Sequence, residues 1–213
     1  MEKTNIINER LRTYKINSIE DQENALKEIL QEIALYTLST TDFFEHALFQ
    51  GGTSLRILYN LPRFSEDLDF ILKIPNENFN WKQYLDSIIE GFQLFGIESE
   101  ISDRSGANKA IQTMFLKDNS IGKIISLDFK NTLNKKLKIK FEIDINPPLG
   151  SKEEIKFLDF PVDFSITSQD LTSNFAGKCH ALLCRPYTKG RDWFDFTWYV
   201  TKKVLKFRLN FGH

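Results

Sequence analysis

The 213-residue sequence lacks the features that define several classes of protein. It contains no run of about 18 apolar residues, so we expect no transmembrane helix and no membrane partner. Its first residues are polar and lead into no apolar segment, so we expect no secretory signal and a cytoplasmic location. The two cysteines, Cys179 and Cys184, have no CxxC spacing, which favours reduced core thiols over a disulfide framework or a zinc site.

Opposite charges nearly cancel, but they are unevenly distributed along the chain. Residues 1–100 hold 9 Lys and Arg against 17 Asp and Glu, whereas residues 101–213 hold 19 against 12. The basic residues concentrate in two clusters, at 123–140 and 185–208. Such asymmetry is typical of a protein with one half facing a polyanion such as RNA. It is equally typical of two solvated faces of one domain, with lysines that guard a strand edge.

Hydrophobic periodicity predicts a mixed α/β (α+β) sheet with an N-terminal helix and a helical C-terminal part. We expect a core at residues 1–165 and the helical part at 166–213. The predicted helices lie near 19–37, 41–46, 54–60, 80–95, 170–185 and 190–206, and the predicted strands near 47–50, 67–72, 97–102, 110–117, 122–129 and 137–145. Ser18 is the expected N-cap of the first helix, and Thr53 that of the helix at 54–60.

The segment from Phe49 to Phe70, FQGGTSLRILYNLPRFSEDLDF, combines two chemical features. Gly51 and Gly52 precede a helix, where glycine permits close approach of a phosphate and free N–H groups attract anions. Asp67 and Asp69 are two residues apart on a predicted strand, so both side chains point to one face. Adjacent carboxylates repel each other unless a cation lies between them, and Mg²⁺ or Mn²⁺ suits such oxygen ligands. Each feature alone is more often a turn or a solvated edge.

This combination resembles the nucleotidyltransferase superfamily that includes DNA polymerase beta, and more closely the AbiEii/MenT family of nucleotidyltransferase toxins. That family has a Gly-Gly-Thr-x-Leu-Arg run followed by Arg-x-Ser-x-Asp-x-Asp-Phe. The resemblance resumes in two later segments and spans about residues 45–200. The matching positions are Gly51, Gly52, Thr53, Leu55, Arg56, Arg63, Ser65, Asp67, Asp69, Phe70, 175–178 and 190–195.

The resemblance implies further site residues. It implies a third metal-binding carboxylate, for which Asp144 is the candidate, although Asp144 and Glu142 share a strand face that could simply be solvated. Lys178 is the candidate for a triphosphate contact, against the alternative of a lysine extending from a helix into solvent. Asp192 is implied as a participant in the site, against the alternative of an acid stabilised at a helix N-terminus, and Asp195 is a weaker candidate.

The first half of the motif supplies the remaining candidates for nucleotide binding. Gly51, Gly52 and Thr53 would lie at the phosphates. Ser65 and Arg56 would contact phosphate or orient the aspartates, and Arg56 would equally suit a structural ion pair. Members of the family usually continue beyond the last predicted helix, so we expect the part after residue 166 to be shortened relative to them.

The resemblance implies a toxin of a toxin–antitoxin or phage-defence pair. It would transfer a nucleoside monophosphate from an NTP to an acceptor hydroxyl, with tRNA or another RNA as acceptor and with Mg²⁺ or Mn²⁺ at Asp67, Asp69 and Asp144. A separately encoded antitoxin would control it. The alternatives are a nucleotidyltransferase that modifies a protein or a small molecule, and a non-catalytic binding module with the same fold.

Overall fold

The computed structural model describes residues 3–103, 111–118, 137–187 and 189–202. The helices there are α1 (Lys3–Arg12), α2 (Ile19–Ser39), α3 (Phe43–His46), α4 (Gly51–Tyr59), α5 (Lys82–Leu94), α6 (Leu171–Cys184) and α7 (Gly190–Thr201). The strands are β1 (Ala47–Gln50), β2 (Asp67–Leu72), β3 (Ser99–Asp103), β4 (Ile111–Asp118), β5 (Leu137–Asp144), β6 (Glu153–Leu158) and β7 (Phe164–Gln169). The predicted strand at 122–129 lies outside the described residues.

A mixed seven-stranded sheet in the order β3-β4-β5-β2-β1-β7-β6 organises the fold. The central strand β2 runs antiparallel to β1 and parallel to β5. Because successive side chains of a strand point to opposite faces, Leu68, Phe70 and Leu72 enter the core on one face of β2. Asp67 and Asp69 lie on the other face, which we call the Asp67 face. The predicted mixed α/β architecture is confirmed.

Helix α2 is the main cover of the core face. Its N-cap forms as predicted, with the Ser18 hydroxyl accepting a hydrogen bond from the Asp21 N–H. Ile29, Ile33 and Leu30 are fully buried, so the helical periodicity in the sequence corresponds to a real apolar stripe. The glutamate Glu32 is buried on the same helix, where it forms an ion pair with Arg10 of α1.

The C-terminal helices α6 and α7 pack around α4 rather than against the centre of the sheet. A small apolar cluster contains Leu55 of α4 and Leu61, which follows α4. These residues pack against Trp198 and Tyr199 of α7. The expected boundary between 165 and 166 falls inside β7, which pairs with β1 in the sheet. The helical segment therefore begins one element later, at α6.

Three local features differ from the sequence predictions. Helix α1 was not predicted, because its ten residues are mostly polar. Helix α4 begins at Gly51 with Gln50 as its N-cap, so Thr53 lies inside the helix and does not cap it. Cys184 is exposed at the end of α6 and Cys179 is only partly buried, so the prediction of two core thiols is wrong. Among the described residues, no helix combines the length and apolar character needed to cross a bilayer.

Helices α2 and α5 approach closely at Gly91. A Cβ atom at Gly91 would overlap Oγ1 and Cγ2 of the buried Thr37. We predict that Gly91→Ala lowers the free energy of unfolding by about 1–3 kcal/mol, because the packed interface must shift. Thr37→Ala in the same chain should restore part of this loss. Urea unfolding followed by circular dichroism measures both effects.

Gly177 on α6 provides the matched control, because an added Cβ there meets no atom within 4 Å. Gly177→Ala should be neutral or should stabilise the protein by up to about 1 kcal/mol through helix propensity. Equal effects of the two alanine substitutions would contradict a close α2–α5 crossing.

Candidate active site

Two aspartates of β2 form the centre of the site. Asp67 and Asp69 alternate with the buried Leu68 and Phe70, so their carboxylates lie side by side on the Asp67 face. The buried Thr53 hydroxyl of α4 donates a hydrogen bond to the Asp67 carbonyl. This bond fixes the start of β2 against the helix that follows β1. The two aspartates therefore lie where the start of β2 meets α4.

The parallel pairing of β2 with β5 brings Glu142 closer to this pair than the candidate Asp144. Asp69 is in register with Glu142, whereas Asp144 is in register with Ile71. Two residues along a strand correspond to about 7 Å, so Asp144 lies one step farther from the aspartates than Glu142 does. An Asp144 carboxylate oxygen accepts the Asn146 N–H, which closes the turn after β5. The structure thus points to Glu142 in the place for which Asp144 was the candidate.

The pKa values show that these carboxylates are held in an unfavourable environment. The pKa of Asp69 is raised to about 7, mainly by burial and further by the neighbouring Asp67 and Glu142 carboxylates. Burial also raises the pKa of Asp67. Lys140 lies near both aspartates and opposes these shifts, and its Nζ is 2.5 Å from Glu142 Oε1. A cation placed among the acids would relieve their repulsion.

The two glycines allow polar side chains to approach the start of α4 closely. A Cβ atom at Gly51 would overlap the Asp69 carboxylate, and Gly51 has a φ of 81°, a left-handed value that favours glycine. A Cβ atom at Gly52 would lie 2.8 Å from Arg63 Nη2 and 2.9 Å from Ser65 Oγ. Backbone and polar side chains therefore converge at the N-terminus of α4, where Gly51, Gly52 and Ser65 lie together.

The C-terminal helices enter the site through a buried ion-pair network centred on Asp195. The guanidinium of Arg63 donates two hydrogen bonds of 2.7 Å to the Asp195 carboxylate. Lys178 of α6 places its Nζ 2.8 Å from Asp195 Oδ2 and 3.9 Å from Asp192 Oδ1. Arg185 binds Asp192 at 2.6 Å. Lys178 and Asp192 thus lie together, and Asp195, the weaker candidate, is the fully buried centre of the network.

Two residues without a predicted role also reach the site. The amide of Asn174 on α6 accepts a hydrogen bond from the Gly51 N–H at 3.3 Å and donates one to Ser54 Oγ at 2.9 Å. It therefore fixes the first turn of α4. Arg191 is exposed at the start of α7 and lies near enough to Asp67 to stabilise its charged form. No sequence signal marked Asn174, whereas Arg191 lies in a matched segment.

Two predicted nucleotide-binding residues have other partners. The Thr53 hydroxyl is bonded to the Asp67 carbonyl, as described above. Arg56 donates to Glu28 of α2 at 2.7 Å and to the Leu61 carbonyl at 3.0 Å, and it stacks over Phe64. The structure does not bring Arg56 to Asp67 and Asp69. Its contacts are those of a structural ion pair, which was the alternative expectation for this residue.

The donor set fits Mg²⁺ or Mn²⁺ better than a structural metal site. Within the described ranges, no three His, Cys, Asp or Glu side chains form a ready-made cluster for one ion. Mg²⁺ is usually held by one or two carboxylates together with substrate phosphates and water. Asp67 and Asp69, with the backbone of Gly51 close to the Asp69 carboxylate, match that requirement, and Glu142 becomes a third oxygen donor if it leaves Lys140.

The raised pKa of Asp69 makes stability depend on pH. Its folded pKa of about 7 lies above the unfolded value of about 4, so the contribution of Asp69 to stability is fully present below about pH 4 and is lost as pH rises through about 7. We predict that Asp69→Asn raises the free energy of unfolding at pH 8 without metal by about 1–3 kcal/mol. Urea unfolding at pH 5 and pH 8 measures this effect, and Mn²⁺ should stabilise the wild type more than the variant.

Glu32 also has a raised pKa, of about 7, mainly through burial, so the comparison with the variant isolates Asp69. Asp163→Asn, at an exposed position between β6 and β7, serves as control. An equal pH dependence in wild type and Asp69→Asn would contradict the electrostatic description.

The chain is similar to known proteins in sequence and in fold. Residues 33–210 match the family model described as nucleotidyl transferase AbiEii toxin of a type IV toxin–antitoxin system. No curated protein matches the sequence significantly. JHP933 from Helicobacter pylori is 19% identical with a TM-score of 0.56, over 86% of this chain and 67% of that chain. MenT4, a nucleotidyltransferase toxin from Mycobacterium tuberculosis, is 20% identical with a TM-score of 0.63, over 93% and 64%.

At these identities the solved structures show a common fold, and this chain spans about two thirds of the length of each. The family model, in contrast, covers most of the chain. The predicted resemblance and the predicted nucleotidyltransferase class are confirmed. The chain belongs to the AbiEii family of nucleotidyl transferase toxins.

Proposed function

We propose that this protein transfers a nucleoside monophosphate from an NTP to an acceptor hydroxyl and releases pyrophosphate. The observation that carries the proposal is the position of Asp67 and Asp69 beside Gly51 at the start of α4. Carboxylates for a divalent cation and a helix N-terminus for phosphate lie next to each other there. Family membership supports the same reaction class.

Asp67 and Asp69 would hold Mg²⁺ or Mn²⁺, with Glu142 as the third carboxylate. The cation would supply charge neutralisation at the reacting phosphate. The chain's own residues would position the substrates, which accounts for most of the catalysis in phosphoryl transfer. Gly51, Gly52 and Ser65 would approach the triphosphate from α4 and from the segment before β2. Arg191, exposed beside Asp67, would provide a further positive charge for the phosphates.

Lys178 would contact the triphosphate while it remains paired with Asp195. Its Nζ is bound to Asp195 and lies near enough to Asp69 to stabilise the aspartate's charge. A single ammonium group thus connects the buried network to the acids. Asp192 shares this cation and is held by Arg185. We infer a positioning role for Asp192 and Asp195, because both carboxylates face cations of the network.

The proposed acceptor is RNA, and tRNA is the candidate that the family resemblance implies. A separately encoded antitoxin would control the activity, in keeping with the toxin–antitoxin description of the family. Of the basic cluster at 123–140, only Lys138 and Lys140 lie in the described part of the chain, and both are on β5 next to the acids. A protein or a small molecule is the alternative acceptor.

We predict that Asp67→Asn and Asp69→Asn each reduce transfer by about a thousandfold, because the loss of a metal ligand costs about 4 kcal/mol of transition-state stabilisation. The measurement uses each NTP labelled at the α-phosphate, with Mg²⁺ and total RNA, and separates labelled RNA from nucleotide. Label in the RNA fraction and release of pyrophosphate are expected for the wild type. EDTA should abolish both signals, and Zn²⁺ should not be required.

Asp163→Asn should retain wild-type transfer, and circular dichroism should show that all variants are folded. Transfer by folded Asp67→Asn and Asp69→Asn at the wild-type rate would overturn the assignment. If the label enters protein instead of RNA, the proposed reaction stands, but the acceptor is a protein and not RNA.

A further inference from the structure

The aromatic residue Phe115 lies on the same face of the sheet as the acids, two strands away from β2. Asp67 of β2 is in register with Lys140 of β5, and Lys140 is in register with Phe115 of β4. Paired residues of neighbouring strands point to the same face, so these three side chains form one row across the Asp67 face. Strands lie about 4.8 Å apart, which places the Phe115 Cα about 10 Å from that of Asp67.

One lysine of β5 covers a face of this ring. The Nζ of Lys138 lies 3.8 Å from the centre of the Phe115 ring, over its face. Lys138 is exposed on β5, and its partner in register on β4 is Lys117. Lys117 is in register with Glu100 of β3 and Lys140 is paired with Glu142, so the positive charge at the ring comes mainly from Lys138. Phe115 itself is only partly buried.

The strand order places this patch on the side of the site that the nucleotide-binding elements leave open. Gly51, at the start of α4, lies on the β1 side of β2. The C-terminal helix α6 contacts Gly51 on that side. Lys138 lies on β5, on the opposite side of β2, and Phe115 lies one strand farther away, on β4. A substrate on these two strands would reach Asp67 and Asp69 without crossing the triphosphate. The patch therefore suits the acceptor rather than the NTP.

We propose that Phe115 and Lys138 form a platform for a single-stranded RNA acceptor, an inference that rests on the proposed function. A base would take the place of Lys138 over the Phe115 ring, and the displaced Lys138 ammonium group would bind an adjacent phosphate. Aromatic rings within a basic surface are the usual means of binding single strands, because every base offers a π-face and every linkage a phosphate. The ribose of the stacked nucleotide would then face the acidic pair. A protein acceptor would have no comparable need for a ring flanked by lysines.

The test measures binding of a fluorescein-labelled single-stranded oligoribonucleotide of about 12 nucleotides by anisotropy. Phe115→Leu keeps an apolar side chain but removes the π-face, and it should weaken binding by about 5- to 100-fold. Phe115→Trp should keep the affinity, and its tryptophan fluorescence should be quenched on binding relative to wild type. This second variant decides the question if Phe115→Leu is not folded.

Phe157 of β6 is the matched control. It lies on the same face of the sheet, at the opposite edge strand, and is 82% exposed. Phe157→Leu should bind the oligoribonucleotide as the wild type does. Lys138→Gln should reduce the slope of log affinity against log salt by about 0.7, the value for one phosphate contact with a single strand. Lys82→Gln, at an exposed position on α5, should leave the slope unchanged.

Binding is measured without NTP, so the result does not depend on catalysis. Equal RNA affinities for Phe115→Leu and Phe157→Leu would overturn the platform, even if the wild type transfers nucleotide to RNA. Loss of RNA binding in Phe115→Leu, in a protein without transferase activity, would support the platform and reject the proposed function. Absence of any RNA binding by the wild type would overturn the platform.

Discussion

The repulsion between Asp67, Asp69 and Glu142 is the constraint on which the site depends. Backbone pairing forces these carboxylates together, because Asp67 and Asp69 share one side of β2 and Glu142 is their neighbour on β5. Burial increases the cost of their charge, which is why the pKa of Asp69 reaches about 7. The rest of the sheet supports this arrangement from the other face, where Phe70 and Leu68 are buried against the core.

The protein balances this negative charge with cations from distant segments. Lys140 comes from β5, Lys178 from α6 and Arg191 from α7. The buried Asp195 network connects α6 to α7 through the Lys178–Asp195 ion pair. Two hydrogen bonds from Arg63, which is 132 residues from Asp195 in the sequence, join the network to the segment before β2. Removal of one member would leave buried charge unpaired, which is strongly destabilising. The C-terminal helices therefore belong to the site and do more than cover it.

The elements with strong local patterns could be predicted from the sequence. The strand Asp67–Leu72 and helix α2 have clear periodicity and a capping residue, and the glycine pair with the Asp-x-Asp marks a site. The third carboxylate could not be chosen in this way, because Glu142 and Asp144 share a strand face and only the register with β2 separates them. The partners of Arg56 and the bridge made by Asn174 depend on tertiary contacts across 28 and 123 residues. No local pattern encodes such contacts.

Crystals grown with Mn²⁺ and a non-hydrolysable NTP analogue test the central claim most directly, through the anomalous scattering of manganese. We expect a manganese peak between the carboxylates of Asp67 and Asp69, with the triphosphate at the N-terminus of α4 beside Gly51 and Gly52. Glu142, rather than Asp144, should be the third acid near the peak. Manganese and nucleotide bound away from β2, with Asp67 and Asp69 in contact with neither, would contradict the assignment of this face as the catalytic site.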